Sequence, residues 1–569
     1  MPNSAANALS LITARDRATV DGAAPTVAAS GVMPGLGVAR DLHGVWSRLS
    51  DRQLAWLIGA VLFVVCAWPL AFVAVPPLQD LPNHLSAVAV IEHPDRYPEF
   101  VFNGFFKTNA ALFAWLFVVA KIASLNTAAR LFALVVLAGN AFTLPRFVLA
   151  FTRSRKRMLV ASLFMWPMIH NWFVTAGMLN FSLAVPLSLE LLMALDRQRK
   201  VPTWRNGVLI TALGVVTWYA HAFPLLVVHM LVAIEAALRP TWKERIADAR
   251  KMIVPLVPVT LLVMASLFLH LRDTAGPMTA FVDIKRSLPA WELAYNMWAE
   301  WLWAYSMNEV SSLVPCLLLA AIGIWRRKES PPFFSPLTLL ALLLLYCFVP
   351  YTETNWSHMN SRFIAYLWFA MLLRVPDAIP KKLAGLLGIS AALYSAGLGA
   401  DYMYLERERQ EFIAGTSAVP EGARLLPLIF KHKEPGFNNA RPIMHASGYY
   451  VVEKLTAAPL LFAHSHSFPV MYSEPPPVRF NHWVLEGFAP SMAHSSGVCR
   501  SPLNNAVVVD CESIYDEAWR EFWADAISRY DYLLVWDITP EARAHIPPVY
   551  KPVFDQGRLQ IYARPPLSI

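Results

Sequence analysis

The 569-residue chain is 56% hydrophobic and 15% charged, with a mean hydropathy of +0.41. Soluble domains carry roughly 25% charged residues, so an ordinary soluble domain is excluded. The net charge of +8 does not imply nucleic acid, because Lys and Arg fall in short clusters between long apolar runs, as the positive-inside rule expects.

Residues 1–45 are rich in Ala, Ser, Gly and Val without periodicity and read as a disordered cytoplasmic tail. No charged segment followed by an apolar core marks a cleavable leader. The first span runs from Leu54 to Val75, and Pro76 and Pro77 stop it. Arg48 and Arg52 precede it, which puts the N-terminus inside and the next loop, 76–109, outside. That loop carries Asp80, Asn83, His84 and Lys107. A carboxylate beside a span end is either functional or a solvated cap on a short amphipathic helix, Leu85–His93.

Further apolar runs follow at Ala110–Leu125, Leu131–Phe151, Met158–Val174, Gly177–Leu195, Val208–His221, Ala222–Leu238 and Ile253–His270. The last runs are Val310–Trp325, Phe333–Tyr351, Phe363–Leu373 and Leu383–Ala400. Clusters at Arg153–Arg157, Asp196–Lys200, Lys243–Arg250 and Arg326–Lys328 alternate with them as cytoplasmic turns. Two full spans between Asn109 and Arg153 would break the alternation. Either Ala110–Leu125, short and holding Lys121, does not cross, or one pair is miscounted; the expectation is 11–13 spans within residues 46–400.

This alternation puts a group of polar residues on the outer side: His170, Asn180 in GMLNFSL, His221 in WYAHAFP, and Glu353, His358 and Arg362 in YTETNWSHMNSRF. Singly, His170 and His221 fit hydrogen-bonded structural histidines, Asn180 a helix-joining bond and Arg362 a snorkelling side chain. Together, on one face, they suggest an external active site. Trp291, Trp298, Trp301 and Trp303 read as an interfacial belt, with sugar stacking as the alternative.

After residue 400 charge rises and apolar runs shorten. Residues 401–569 read as an extracytoplasmic α/β domain. Its strands are expected at Arg424–Leu428, Tyr450–Val452, Tyr532–Trp536 and Leu559–Tyr562, with a helix at Asp516–Ser528. Cys499 and Cys511 are spaced to bridge a turn, which an oxidising compartment would allow; two buried thiols are the alternative.

An N-inside polytopic chain with Asp just after the first span resembles the GT-C superfamily of membrane glycosyltransferases. The segment QDLPNHLSAVAVIEHPD, the G-x-L-N-F-x-L start at Gly177–Leu183, Ala220–His221 and Asn360–Phe363 are similar to those of uncharacterised bacterial GT-C-like proteins. The resemblance implies a bacterial inner-membrane protein with a periplasmic C-terminal domain. It implies inverting transfer of a sugar from a polyprenyl-phosphate-linked donor to a glycan, lipid or protein acceptor. Asp80 would be the base, with His84 orienting it. Arg362 and then Lys107 would bind the donor phosphate, and Asn83, His170, Asn180, His221, Glu353 and His358 the substrates. The chain departs from the family's frequent acidic pair, since the next acid after Asp80 is Glu92. A divalent metal is therefore left open. The rival classes are a non-catalytic lipid- or polysaccharide-binding scaffold and a transporter or flippase of envelope intermediates. Against the latter, the ionisable residues sit at outer ends rather than midspan.

Overall fold

The first span is helical from Asp51 to Ala67 (α1) and closes in a 3₁₀ turn, Trp68–Ala71. The α-helix stops earlier than Pro76 and Pro77 suggest, because Pro69 lacks the donor that would continue it. This computed structural model describes residues 49–273, 287–305, 309–352, 358–430, 442–459, 462–463, 468–474, 476–477, 480, 499–500, 507–508, 520 and 522–565. Residues from Asp51 to Ile569 form one unit.

The outer loop follows as α2 (Leu81–Glu92), β1 (Phe100–Phe102) and α3 (Ala111–Val119). Nine residues of helix rise about 14 Å, half a hydrocarbon core. Thus α3 does not cross, and the conflict at Arg153 disappears. The bundle continues with α4 (Leu125–Thr152), α5 (Arg155–Ile169), α6 (Trp172–Thr175), α7 (Leu179–Lys200), α8 (Trp204–Ala220) and α9 (Ala222–Ala237). Next come α10 (Trp242–Ile253), α11 (Val257–Asp273), α12 (Ala290–Leu302), α13 (Glu309–Trp325), α14 (Pro336–Phe348), α15 (Ile364–Leu372) and α16 (Lys381–Ile413). Six helical stretches among the described residues are long and apolar enough to cross a membrane, and three shorter apolar helices accompany them. Counting α8 as well, and α15 together with the 3₁₀ turn Asn360–Phe363 that runs into it, the candidate traverses among the described residues are α1, α4, α5, α7, α8, α9, α11, α13, α14, α15 and α16. That is the lower end of the expected count.

Local chemistry sets the helix starts. Ser124, Ser154, Thr203 and Ser335 each accept a backbone N–H at the N-terminus of α4, α5, α8 and α14. Thr241 and Glu244 form a capping box on α10. Small residues set close approaches: a Cβ on Gly139 would lie 3.2 Å from Pro186, which lets α4 and α7 pack tightly. At the basic end the acids are paired, Asp196 with Arg199 and Lys200, and Glu235 with Arg199 and Arg239. The turns at this end thus hold ion-pair networks rather than Lys and Arg alone.

The tail forms a four-stranded mixed sheet, β2 (Leu425–Ile429), β6 (Tyr532–Trp536), β7 (Lys551–Gln556) and β8 (Leu559–Ala563), in the order β2-β6-β8-β7. Only β2 and β6 run parallel. The short strands β3 (Val470–Tyr472), β4 (Cys499–Arg500) and β5 (Val507–Val508) lie outside this sheet. Three of the four expected strands are present. The fourth, Tyr450–Val452, is instead inside a helix, α17 (Gly448–Lys454). This helix packs on α2 through Gly448. Residues 522–529 are helical, overlapping the C-terminal half of the expected tail helix. Arg558 ties the sheet to α16, meeting Glu411 at 2.8 Å and Glu408 at 2.6 Å. Cys511 and the side chain of Cys499 lie outside the described residues, as does Glu353.

The tail also docks on the outer loop. Strand β3 pairs antiparallel with β1. Ser86 Oγ donates to Gly448 O at 3.1 Å, and Phe462 N–H donates to Asn83 Oδ1 at 3.0 Å. Loop and tail therefore lie on the same side of the bundle. This contact buries α2 from Leu81 to Val90, so it is not the surface-lying amphipathic helix that the sequence suggests.

Candidate active site

The turn from His170 to Phe181 organises the outer end. Asn171 Oδ1 accepts Val174 N–H at 3.2 Å and starts α6. Gly177 follows with φ +84°, a conformation that favours glycine. Space demands glycine as well: a Cβ there would lie 2.6 Å from Asp80 N and 2.9 Å from Asp80 Cβ. Gln79 N–H donates to Thr175 O at 3.0 Å and Asp80 N–H to Ala176 O at 3.2 Å. Tyr305 OH donates to Pro77 O at 2.9 Å. The backbone that carries Asp80 is thus fixed on both sides.

Asp80 stands at the N-terminus of α2 but its side chain accepts no capping hydrogen bond. The bland reading, a carboxylate that caps the next helix, is not what the structure has. Its Oδ1 receives Gln79 Nε2 at 3.3 Å and lies 3.5 Å from Nε2 of His445. The Asp80 side chain is 15% exposed and that of His445 3%. His445 comes from the tail, in a segment with no motif that would single it out. It packs against Phe462, ring centroids 4.8 Å apart.

His84 sits one turn along α2, edge-on to Phe113 at 5.0 Å and to Phe462 at 6.0 Å. Burial pushes its imidazole down to about 4, the nearby Asp80 charge only partly opposing. His84 is therefore neutral at pH 7 and acts on Asp80 as a neutral neighbour rather than a proton store.

The same turn links this cluster to a second one. Asn180 Oδ1 accepts Leu112 N–H at 2.8 Å and its Nδ2 donates to Asn109 O at 2.9 Å, which fixes the start of α3. Phe181, one turn beyond Gly177, lies under the Arg362 guanidinium at 5.5 Å and edge-on to His221 at 5.6 Å. Arg362 Nη1 is 2.8 Å from His221 Nε2, and Phe223 N–H donates to His221 Nδ1 at 3.1 Å. A neutral imidazole offers one acceptor only. One of these two donors therefore faces an N–H, and an anion at Arg362 would relieve that conflict.

A third group gathers around Glu300, which the sequence reading did not single out. It is buried at a kink of α12. His358 Nδ1 lies 3.2 Å away, Tyr351 OH donates at 2.7 Å and Ser361 OH also donates. Burial alone would raise this carboxyl, but His358 and the three hydrogen bonds hold it below its ordinary value. His358, at φ +59°, packs on Trp172 at 4.6 Å. The one signal available for Glu300 was the polar, Trp-rich stretch in which it lies. Trp301 and Trp303 are buried, so neither serves a surface belt nor stacks on a sugar.

Of the other expected residues, Lys107 Nζ donates to Phe468 O at 3.4 Å at the loop–tail junction. His170 is fully buried, with Nε2 2.7 Å from Tyr402 OH. It stands behind the Asp80 loop through Tyr305 rather than among the exposed groups. Among the described residues, no set of three or more His, Cys, Asp and Glu side chains is disposed to hold a metal ion.

Fold and site together define a multi-pass α-helical membrane protein that carries a buried-edge Asp–His pair between its first outer loop and its C-terminal α/β region. No family model matches the chain, and no curated protein matches it. A solved structure of the arabinofuranosyltransferase AftD from Mycobacteria is similar at 12% identity and a TM-score of 0.49, over 90% of this chain and 42% of that one. The chain thus spans less than half the length of that protein.

Proposed function

We propose that the protein is a GT-C-type membrane glycosyltransferase. It transfers a sugar from a polyprenyl-phosphate-linked donor to a cell-envelope acceptor on the extracytoplasmic face. The observation that carries the reading is Asp80: a carboxylate at a span end, without a capping role, partly accessible and flanked by His445.

Asp80 takes the proton of the acceptor hydroxyl as that oxygen attacks the anomeric carbon. The bond between that carbon and the phosphate oxygen breaks, and configuration inverts. The leaving phosphate gains charge, which Arg362 meets with a guanidinium suited to phosphate oxygens. His221 supplies a second donor there once its Nδ1 accepts Phe223 N–H. Lys107 is the further candidate for the phosphate. Asn83 and Asn180 hold the loop and tail around the acceptor path, and His358 with Glu300 contributes the far wall. The alternating basic clusters support an external site, and loop–tail contact puts the C-terminal region on the same side. In a bacterium this is the periplasmic face of the inner membrane.

The test is turnover by reconstituted protein of a panel of polyprenyl-phosphate sugars, with donor affinity measured beside it. Arg362→Ala should weaken donor binding and rate together. Absence of sugar release from every donor on a broad panel would overturn the reading in favour of a binding scaffold.

A further inference from the structure

At the opposite, basic end of the bundle, a groove of about 650 Å³ lies between α8 and the 3₁₀ turn Val254–Leu256 that joins α10 to α11. This volume falls in the range of roughly 300–1,000 Å³ that ligand sites have. One wall is a single stripe of α8, Trp204, Val208 and Thr211, at helical spacing. The other is Val254 and Pro255. Thr211 Oγ1 donates to Pro255 O at 2.7 Å and closes the floor with its polar atom satisfied. The walls are apolar and stay exposed, Trp204 at 76% and Val254 at 58%. A groove that runs along a span from an interfacial Trp inward suits an acyl chain rather than a soluble ligand.

Two arginines adjoin the lining in sequence, Arg205 next to Trp204 and Arg250 one turn before Val254, and their charge identifies the headgroup. Arg205 lies 5.7 Å from the Trp204 ring, and Arg250 precedes Val254 by one turn, its carbonyl accepting Val254 N–H. Neither has an ion pair among the described residues, whereas three nearby acids do, and Glu244 accepts the Thr241 backbone N–H in the capping box. Asp196 is held by Arg199 and Lys200, Glu235 by Arg199 and Arg239, and Asp248 by Arg239 and Lys251. The mouth is therefore net positive.

We infer that this groove binds one anionic glycerophospholipid of the adjacent leaflet, with an acyl chain along α8 and the phosphate between Arg205 and Arg250. This is independent of the glycosyltransferase reading. Each basic side chain near an anionic headgroup contributes enough for a roughly fivefold preference, so two give about 30-fold. The experiment is native mass spectrometry of the full chain in detergent. Phosphatidylglycerol and phosphatidylcholine of identical chains are offered in equal amounts.

The wild type should retain one phosphatidylglycerol in preference by about 30-fold. Arg205→Glu with Arg250→Glu should abolish the preference. Val208→Trp, which fills the groove from an exposed position, should remove the bound lipid of either headgroup. Equal retention of both lipids by the wild type would overturn the inference. So would a preference that survives the paired Arg changes, or a bound lipid that Val208→Trp leaves in place. Monodispersity and helical circular dichroism confirm that each variant is folded.

Discussion

Gly448→Ala isolates the contact between tail and loop. Gly448 packs on α2 so closely that an added Cβ would lie 2.5 Å from Ser86 Oγ and 2.7 Å from the Pro82 carbonyl carbon. Both are too near, and the carbonyl carbon is backbone that cannot swing away. Overpacking of this kind costs about 1–3 kcal/mol. The strain should lift residues 445–451 from α2, and His445 from Asp80 with them. At a tenfold change per 1.4 kcal/mol, an opening cost reduced by 1–3 kcal/mol speeds amide exchange roughly 5- to 150-fold. Hydrogen exchange with mass spectrometry reads peptides covering α17 and α2. Gly388→Ala is the control, because a Cβ on that helical glycine meets nothing within 4 Å and should leave exchange in α17 unchanged. If Gly448→Ala matches Gly388→Ala, the tail is not held on the loop as described.

Three other outcomes follow from single groups. His84 carries an imidazole pushed down to about 4 by burial, from an unfolded value near 6.5, so the unfolded chain binds the extra proton between these limits. Its contribution is complete above pH 6.5 and is lost as pH falls toward 4, about 3 kcal/mol in all. His84→Phe, which suits the aromatic walls, should remove that limb from a pH-dependent thermal unfolding series, and an unchanged limb contradicts it. Arg558→Met leaves the Glu408 carboxylate, whose side chain is 3% exposed, without its cation. The loss should be about 3 kcal/mol, read as faster exchange in β7 and β8, and Glu408→Gln in the same chain should restore part of it. Cys499 and Cys511 should appear as one linked pair in non-reducing peptide mapping; two freely alkylated thiols refute the bridge.

Periodicity and span ends were legible in the sequence because membrane-crossing helices advertise themselves over about 20 residues. Strands β2, β6 and β8 were legible for a similar reason, being short apolar runs between turns. The helix α17 was not, since its three apolar residues carry no period long enough to separate helix from strand. Asp80, His84, Asn180, His221 and Arg362 could be singled out because a polar residue at a span end is costly and so conspicuous. His445 and Glu300 could not. His445 lies in a polar tail where one more histidine carries no signal, and only the docking of that tail on α2 brings it to Asp80. Glu300 sits in a Trp-rich stretch whose polar residues looked interfacial, and the kink that buries it is a tertiary feature.

The central claim is that Asp80 removes the acceptor's proton. Asp80→Asn keeps the size of the side chain and cannot take that proton. In reconstituted protein supplied with a donor that the wild type cleaves, turnover should fall by about 10²- to 10⁴-fold, while donor affinity and the melting temperature stay at wild-type values. Full transfer activity in Asp80→Asn would contradict the account.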